Sequence, residues 1–510
     1  MKKVSRILCL IISVILVGSS SFVSSARADA SVQYTYLDGI RDPYYQPFSS
    51  TSIWNMPIGS NAQYVDANLP STRIASDGTE RLRQVGVDTE HILKTDNSDE
   101  VLNIYRYKSS WDDGRWPSKD LLGTSAGTLY WPRGYTIPNN TANNCSAVIQ
   151  PDRRTFVQLQ PTCRVDASSD YITGYVHKQN FDLYGSGELG SHYGSGLSTI
   201  GGSIRVGELT SDQPIRHALK LNVNAAEFLY YGDDLKGFKW PADRCDSYAE
   251  SRYGGKDSNI VMGSLLALPP DITAEDLGVT SEVGKKLFFA LQNYGCYITD
   301  DSNWNAYCIC AEVGVREEVI QKYGEAYDMK GYENAYAKEF VSMVSELAVI
   351  VNNSPESIGG GGTPLQPLLP EIYPVSSVEF DSDKLTLRVG ESVDFGATVY
   401  PLNASYKALS YKSTSESVAF IDEKGVVTGN AIGFTTITVT TEEGGFIDLC
   451  EVTVLPPLVD AEGKLSAVQY NNAILCSLGY IEANLDLDMN SDGIVNSEDA
   501  LIIKQKLLGL

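Results

Sequence analysis

The sequence predicts a multidomain chain: a large β-rich α+β module, then a small β-sandwich, then a short α-helical unit. Three observations divide it. Four consecutive glycines at 359–362 are followed by Pro364, Pro367, Pro370 and Pro374, the composition of a flexible joint and a stiffer extended spacer. Beyond that spacer, short runs alternate apolar and polar residues in the period of strands. Near the C-terminal end, acidic and amide residues alternate around one glycine and lead into a helical pattern. The boundaries read 29–353 for the first module, 354–374 for the linker, 375–455 for the second module and 456–510 for the third.

Residues 1–28 read as a signal peptide. Lys2, Lys3 and Arg6 precede an apolar run at 7–18, and Ala26-Arg27-Ala28 offers a cleavage site. The apolar run is short for a membrane span. The chain has 510 residues, 43% of them hydrophobic, enough for several cores. A net charge of −24 argues against a nucleic-acid partner and suits a secreted protein. Eight of the nine cysteines lie beyond the signal segment, too irregularly spaced for a disulfide scaffold. Cys145 with Cys163, and Cys296 with Cys308 or Cys310, are the pairs spaced to bridge.

In the first module, strands are expected at 103–107, 155–159 and 203–206 among other short runs. Helices come late. Val283, Leu287, Leu291 and Tyr294 share one face of 281–294, which stops at Gly295. Phe340, Met343, Val344 and Leu347 repeat that period in 332–351.

Strands of the second module are expected at 384–389, 392–399, 417–421, 435–440 and 448–454. The order Val399-Tyr400-Pro401, Tyr411-Lys412-Ser413, Gly425-Val426-Val427-Thr428-Gly429 and Gly433-Phe434-Thr435-Thr436-Ile437 resembles the bacterial immunoglobulin-like group 2 domain. Tyr411 stands where that family often has Trp. The resemblance implies a small β-sandwich with a spacer or adhesive role.

In residues 488–499 (DMNSDGIVNSED), Asp488, Asn490 and Asp492 alternate so that three side-chain oxygens can face one centre. Gly493 sits at the turn, the Ile494 carbonyl at the seventh position, Asn496 at the ninth and Asp499 at the twelfth. That is the ligand order of an EF-hand loop, and hard oxygen ligands favour Ca²⁺. With the helical run at 500–508, the segment resembles the second half of a type I dockerin. Upstream, residues 460–480 fit the first half, with Asp460, Glu462 and Gly463 in place. Leu458 and Gln469 occupy its first and twelfth ligand positions, so one calcium site is expected. The resemblance implies a cohesin module of a scaffold protein as partner, with Ser497, Glu498 and Lys504 at the contact positions. Because dockerin carriers are mostly carbohydrate-active, it also implies a polysaccharide substrate.

All six Trp and all four His lie in the first module, which makes it the candidate catalytic one. Its densest stretch, 182–208, holds Asp182, Glu188, His192, Arg205 and Glu208 among eight glycines. Gly185-x-Gly187-x-x-Gly190 matches a dinucleotide fingerprint in letters only, without a strand–helix crossover around it. His217 and Lys220 follow, and Asp300-Asp301 with Trp304 forms a second acidic, aromatic spot. Hydrolysis of a glycosidic bond needs two carboxyl groups. Glu208 with Asp300, Asp301, Asp182 or Glu188 can supply them, and Trp240 and Trp304 can stack sugars. Elimination instead needs a base and cations, for which His192, His217, Arg205 and Lys220 are candidates. Ser191, Ser195 and Ser198 lack the elbow motif of a serine hydrolase. The reading is a secreted, scaffold-attached (cellulosome-type) glycoside hydrolase, extracellular or held at the cell surface through the scaffold. The alternatives are a polysaccharide lyase and a non-catalytic carbohydrate-binding or adhesion protein.

Overall fold

A computed structural model describes residues 41–107, 122–139, 143–176, 181–324, 334–457, 467–482 and 485–508. The expected signal peptide, Trp111, Trp116, His177 and positions 458–463 of the upstream half-site lie outside them. No helix among the described residues is long and apolar enough to cross a membrane.

The first module is built on one mixed sheet of 13 strands. From edge to edge they are Tyr64–Asp66, Ala348–Ile350, Leu265–Ala267, Cys296–Asp301, Leu219–Val223, Ala306–Glu312, Gln84–Lys94, Ser146–Ile149, Thr155–Cys163, Tyr171–Val176, Glu100–Tyr107 and Leu122–Trp131. Phe181–Asp182 pairs with Thr155–Cys163 off this path. In the middle, Leu219–Val223 runs parallel to Cys296–Asp301, and Ala306–Glu312 runs parallel to Gln84–Lys94. Leu221 opposite Ile309 joins the two pairs antiparallel.

Side chains alternate across a pleated strand, so each central strand serves two environments. On one face Val85, Leu219, Leu221, Val223, Ile298, Tyr307 and Ile309 pack with the two expected helices and with Val315–Tyr323 into the largest core. The other face is apolar at one end, where Tyr297, Leu265 and Ala267 meet Phe48, Ile53, Trp54, Leu197 and Ile200. Near the middle it is polar, carrying Glu90, Lys220 and Asn222, all at most 1% exposed.

The two helices form where the period placed them. Glu282–Asn293 starts at Ser281, whose hydroxyl accepts from the Gly284 N–H. It ends before Gly295, at φ 75°, where a Cβ would meet the Leu266 carbonyl at 2.4 Å. Ala335–Ser345 is shorter than 332–351: the chain turns after Ser345, and Ala348–Ile350 becomes a strand between Tyr64–Asp66 and Leu265–Ala267. The apolar residues that continued the helical period are there buried in the sheet. Ile204, in the expected strand 203–206, makes only an isolated bridge to Ala311.

The glycine run is not a free joint. Gly359, Gly360, Gly361 and Gly362 all have positive φ, and their backbone pairs with 58–61: Gly59 N to Gly359 O at 2.9 Å, Asn61 N to Gly361 O at 3.0 Å, Leu365 N to Ile58 O at 2.8 Å. A Cβ on Gly59 would lie 2.0 Å from the Gly361 carbonyl oxygen. The expectation of a flexible linker read composition alone; these glycines serve close backbone packing instead. The module behind them is docked on the first. Arg154 binds Asp182 at 2.9 Å and the Val375 carbonyl at 3.3 Å, and Gly444 N donates to Asp152 O at 2.9 Å.

The second module has a four-stranded sheet (Lys384–Arg388, Ile447–Leu455, Gly433–Thr441, Leu409–Ser413) facing a three-stranded one (Ser392–Asp394, Val426–Gly429, Ala419–Ile421). Val378, Phe395, Ile421, Val427, Ile437, Val439 and Val452 fill the space between. The expected run 392–399 is two strands, because Ala397–Tyr400 leaves to pair with Ser377–Phe380. In the third module Ala467–Ser477 and Ser497–Leu508 pack through Ala473, Cys476, Ala500 and Ile503. The eight cysteines from Cys145 to Cys476 are all free, so neither expected pairing is a bridge. Cys145 instead faces His192, and the Cys163 thiol lies 3.6 Å from the Ile137 carbonyl.

Gly202 has φ 73°, and a Cβ there would lie 2.3 Å from the Trp54 ring. Gly202→Ala should therefore lower unfolding free energy by about 2–4 kcal/mol, strain plus overpacking. Gly78→Ala, at φ 78° in open space, should cost about 1 kcal/mol from strain alone. Denaturant titration of both variants separates the two contributions; equal losses would contradict the packing argument.

Candidate functional site

The polar stripe is assembled from four strands and covered by the glycine-rich segment. Gly86, Asp88 and Glu90 project to the same side of Gln84–Lys94 and lie in register with Cys308, Cys310 and Glu312. Lys220 and Asn222 project alongside from Leu219–Val223. Over them lies 190–203. A Cβ at Gly190 would meet the Ser198 Cα at 2.3 Å, one at Gly194 the Asp300 carboxylate at 2.4 Å, and one at Gly201 the Trp54 ring at 2.4 Å. Glycine is what lets this backbone approach so closely.

At the deep end is a buried ion pair. Lys220 Nζ donates to both oxygens of Glu90 at 2.7 and 2.8 Å, and to the Ser198 and Thr199 carbonyls at 3.2 and 2.6 Å. Ser203 donates to the same carboxylate and to the Thr199 carbonyl. His192 Nε2 lies 2.7 Å from Glu90, and its Nδ1 lies 3.8 Å from Cys145 Sγ and 3.6 Å from Asp300. Burial works against ionisation of Glu90, but Lys220 and His192 outweigh it and hold the carboxyl below its ordinary range. Burial likewise opposes a charge on His192, yet Cys145 and Asp300 lift it well above 6.5. The Cys145 thiol is pushed up by burial, which outweighs His192. The ligand atoms of Glu90, Cys145 and His192 lie within 4.8 Å of one another, a donor set of zinc type. Lys220 already places a positive charge against two of them, so the cluster is satisfied as an ion pair with a capping imidazole.

Toward the surface the stripe becomes acidic. Asn222 donates to Asp88 at 2.5 Å and accepts from Thr299 at 2.7 Å. Burial and the neighbouring Asp300 push the Asp88 carboxyl up. Tyr253 donates to Asp246 at 2.8 Å, and Tyr248 donates to Asp301 at 3.1 Å. Burial first, then Asp300, raises Asp246 to about 7. Trp304 is 45% exposed at this end, and a Cβ on Gly86 would lie 2.3 Å from Cys308 Sγ and 3.0 Å from the Trp304 ring.

A second buried cluster adjoins the first. Glu208, 4% exposed, accepts from the Arg205 N–H at 2.7 Å and faces His217 Nε2 at 3.0 and 3.1 Å. His217 Nδ1 meets the Ala218 carbonyl at 2.9 Å. Arg205 Nε donates to Glu312 at 2.9 Å, while its guanidinium also reaches the Tyr44 carbonyl and lies 4.4 Å from the Tyr44 ring centroid. His217 and Ser203 border a small pocket with Trp54, Tyr45 and Asn55, with room for little more than a water.

The structure thus brings His192 together with Asp300, and Glu208 with His217 and Arg205. It does not bring the two groups onto one open cleft. Asp182 sits apart at the boundary with the second module, held by Arg154. Asp301 accepts the Ala225 and Asn303 N–H groups at 2.9 and 2.7 Å, so it caps a turn beside the site. Trp240 is partly buried against the Trp54 cluster. Glu90, Asp88, Cys145 and Asp246 were not among the expected residues. Gly86-x-Asp88-x-Glu90 and Lys220-x-Asn222 carried a signal: ionisable residues at every second position of otherwise apolar strands.

In the third module Gly493 has φ 82°, and Asp488 accepts from Asp492 N and Gly493 N at 3.1 and 2.8 Å. Asp499, fully buried, accepts from Met489 N at 2.7 Å and Asn496 N at 2.9 Å. Ser497, Glu498 and Lys504 are exposed, and the Lys504 ammonium lies 5.7 Å from the Tyr470 ring centroid.

Residues 374–452 are a bacterial Ig-like domain of group 2. The chain is also similar to an uncharacterised protein of Bacillus cereus, 25% identical over 131 residues, covering 25% of this chain and 95% of that one. Over 80 residues it is 39% identical to a kappa-carrageenase of Pseudoalteromonas carrageenovora, covering 16% of this chain and 20% of the enzyme. Over 88 residues it is 40% identical to an alpha-L-arabinofuranosidase of Bifidobacterium longum, covering 17% of this chain and 8% of the enzyme. Those stretches are about as long as the Ig-like domain, and the chain spans a fifth or less of either enzyme. Among solved structures, the S-layer protein SbsC (domains 4 and 5) matches 16% of this chain and 52% of its own, at 22% identity and a TM-score of 0.15.

The Glu208–His217 pair makes a pH prediction. Burial lowers the His217 pKa, but Glu208 more than offsets it, so the folded value lies above 6.5. A raised folded value means this pair's stabilisation is full below 6.5 and is lost as pH rises through the folded value. Glu208→Gln should destabilise the protein most at acidic pH and flatten the alkaline decline. Denaturant midpoints of both proteins across that range test it; parallel curves would contradict it.

Proposed function

We propose that the first module cleaves a polysaccharide by acid–base chemistry at the acidic mouth of the stripe, with Asp246 as proton donor and Asp300 as its partner carboxyl. One observation carries the reading. Asp300 and Asp301 end a central strand beside His192, and Tyr248 and Tyr253 hold Asp301 and Asp246 next to them, half-buried, near an exposed Trp304. Glycosidic cleavage uses two carboxyl groups whose surroundings keep one protonated near neutral pH, and an exposed ring can stack on a sugar. The similarity of short stretches to a carrageenase and an arabinofuranosidase supports a carbohydrate-active role for the whole chain. Elimination by Arg205 and His217 has less support, because both are buried, His217 is engaged by Glu208 and the Ala218 carbonyl, and Arg205 Nε by Glu312. On this reading Glu208 positions His217 and touches no substrate.

We further propose that the chain is secreted and that its third module binds one Ca²⁺ and docks a cohesin through Ser497, Glu498 and Lys504. The oxygen donors Asp488, Asn490, Asp492, the Ile494 carbonyl, Asn496 and Asp499 fit a calcium loop by type and spacing. Bound there, the ion would relieve repulsion among the carboxylates and add folding energy to a module with a small core.

Two experiments test these readings. A polysaccharide panel, read by reducing ends and by unsaturated-uronate absorbance, should give hydrolysis of at least one polymer. Asp246→Asn should then lower turnover by about 10²–10⁴ with the thermal transition kept. The wild-type rate should fall as pH rises past about 7, where Asp246 loses its proton. Full activity in that variant would remove Asp246 from the chemistry. In the second experiment, calorimetry should find one calcium site in the intact chain and none in Asp488→Ala. Two equivalent sites, or no binding up to about millimolar calcium, would refute the loop assignment.

A further inference from the structure

One imidazole joins the buried ion pair to the acidic end of the stripe. His192, 2% exposed, turns each ring nitrogen toward a carboxyl group: Nε2 lies 2.7 Å from Glu90, and Nδ1 lies 3.6 Å from Asp300. Its backbone is held as well. The His192 N–H donates to the Leu197 carbonyl at 3.1 Å, and its carbonyl accepts from Gly196 N at 2.6 Å and Ser195 N at 3.2 Å. On the inner side, Glu90 is fixed by Lys220 and Ser203. On the outer side, Asp300 Oδ1 accepts from the Asp301 N–H at 2.9 Å, and a Cβ on Gly194 would meet that oxygen at 2.4 Å. Among the described residues, His192 is the only ion-pair partner of Asp300, and it faces Oδ2.

The surroundings of the ring favour this bridging form. Burial opposes a charge on the imidazole, and so does Lys220, whose Nζ lies 3.2 Å from Nε2, yet the second proton is held well above 6.5. Cys145, with Sγ 3.8 Å from Nδ1, and Asp300 lie on the side that lifts it. The Cys145 thiol is itself pushed up by burial and is neutral near pH 7, which leaves Asp300 as the acid on that side. Asp88 is a further carboxyl near enough to feel the imidazolium, although burial dominates there and pushes it up. With both nitrogens protonated, the ring has one N–H for each carboxyl; a neutral ring could donate to only one of them.

A carboxyl that acts on a substrate must be held to within a fraction of an ångström. We infer that His192 is a positioning residue of the cleavage site: anchored to Glu90 through Nε2, its imidazolium aims Asp300 through Nδ1. The inference rests on the proposed cleavage and adds to it a residue that touches no substrate. Two measurements on the intact chain test it. The chain has four His, so nitrogen-15 spectra of the labelled imidazoles can be assigned by single substitutions. In the wild type both His192 nitrogens should stay protonated past pH 6.5. Asp300→Asn should lower that titration by about one pH unit or more, tenfold in proton affinity. Against a polymer that the wild type cleaves, His192→Gln should lower kcat by about 10–100-fold and leave KM within about twofold, because it misplaces a carboxyl without touching bound sugar. An imidazole that only supports the fold would lower the thermal transition and leave kcat per folded molecule unchanged. If His192→Gln does not fold, the Asp300→Asn titration decides alone. An unmoved titration, or full kcat in folded His192→Gln, overturns the inference and leaves the cleavage reading standing. A wild type that cleaves no polymer removes the cleavage reading, and the inference falls with it.

Discussion

The Lys220–Glu90 pair is the constraint around which the first module is organised. Both groups are at most 1% exposed, and their residues are 130 positions apart in the chain. Taking two charges out of water costs several kcal/mol for each ion, and attraction repays it only when every remaining donor and acceptor is satisfied. Here they are: two carbonyls and a carboxylate surround the ammonium, while a hydroxyl and an imidazole complete the carboxylate. Four of those partners, His192, Ser198, Thr199 and Ser203, belong to the glycine-rich segment. The ion pair thereby fixes where that segment lies on the sheet. The glycines at 190, 194, 201 and 202 follow from it, since any Cβ would hold the segment off and leave the charges unpaired.

That dependence explains what was legible in the sequence. The stretch 182–208 stood out because glycines and ionisable residues crowd it, and the helix at 281–294 stood out because its apolar period is local. The partners of His192 were hidden because they arrive through strand pairing over long separations, Glu90 from one parallel pair and Lys220 from another. Their trace was present as polar residues at every second position in Gln84–Lys94 and Leu219–Val223. In an edge strand such alternation marks a wet face, and nothing local says that this sheet is covered on both sides. Asp182 misled for the opposite reason: it shares the glycine-rich composition, but its short strand turns it toward Arg154 and the next module.

The linker was misread through the same locality. Four glycines in a row describe an unhindered chain only when nothing lies against them. Here 58–61 supplies the partners, and positive φ at all four positions is the geometry of a docked turn. With Arg154 bound to Asp182 and to the Val375 carbonyl, the Ig-like domain is attached on the side of the glycine-rich segment's first residue. Its contribution is then to brace the beginning of the segment whose later part carries His192.

Along one face of Gln84–Lys94 the environment changes steadily, and the change sets what each position can do. Glu90 lies where water is excluded and must be neutralised by a fixed cation, so it titrates outside the range useful for proton transfer at neutral pH. Asp88, two residues nearer the surface, is held by the Asn222 amide rather than by a fixed ion pair. Asp246, farther out, accepts from the Tyr253 hydroxyl, while Asp300, 7% exposed, lies 3.6 Å from His192. Burial first, and the nearby Asp300 second, make the Asp246 carboxyl hold its proton to near neutrality. A stripe of this kind separates the two demands on buried charge. The interior end supplies rigidity because a fixed cation satisfies its charge, and the outer end, held by tyrosine hydroxyls and backbone N–H groups, is where the proposed proton chemistry would sit.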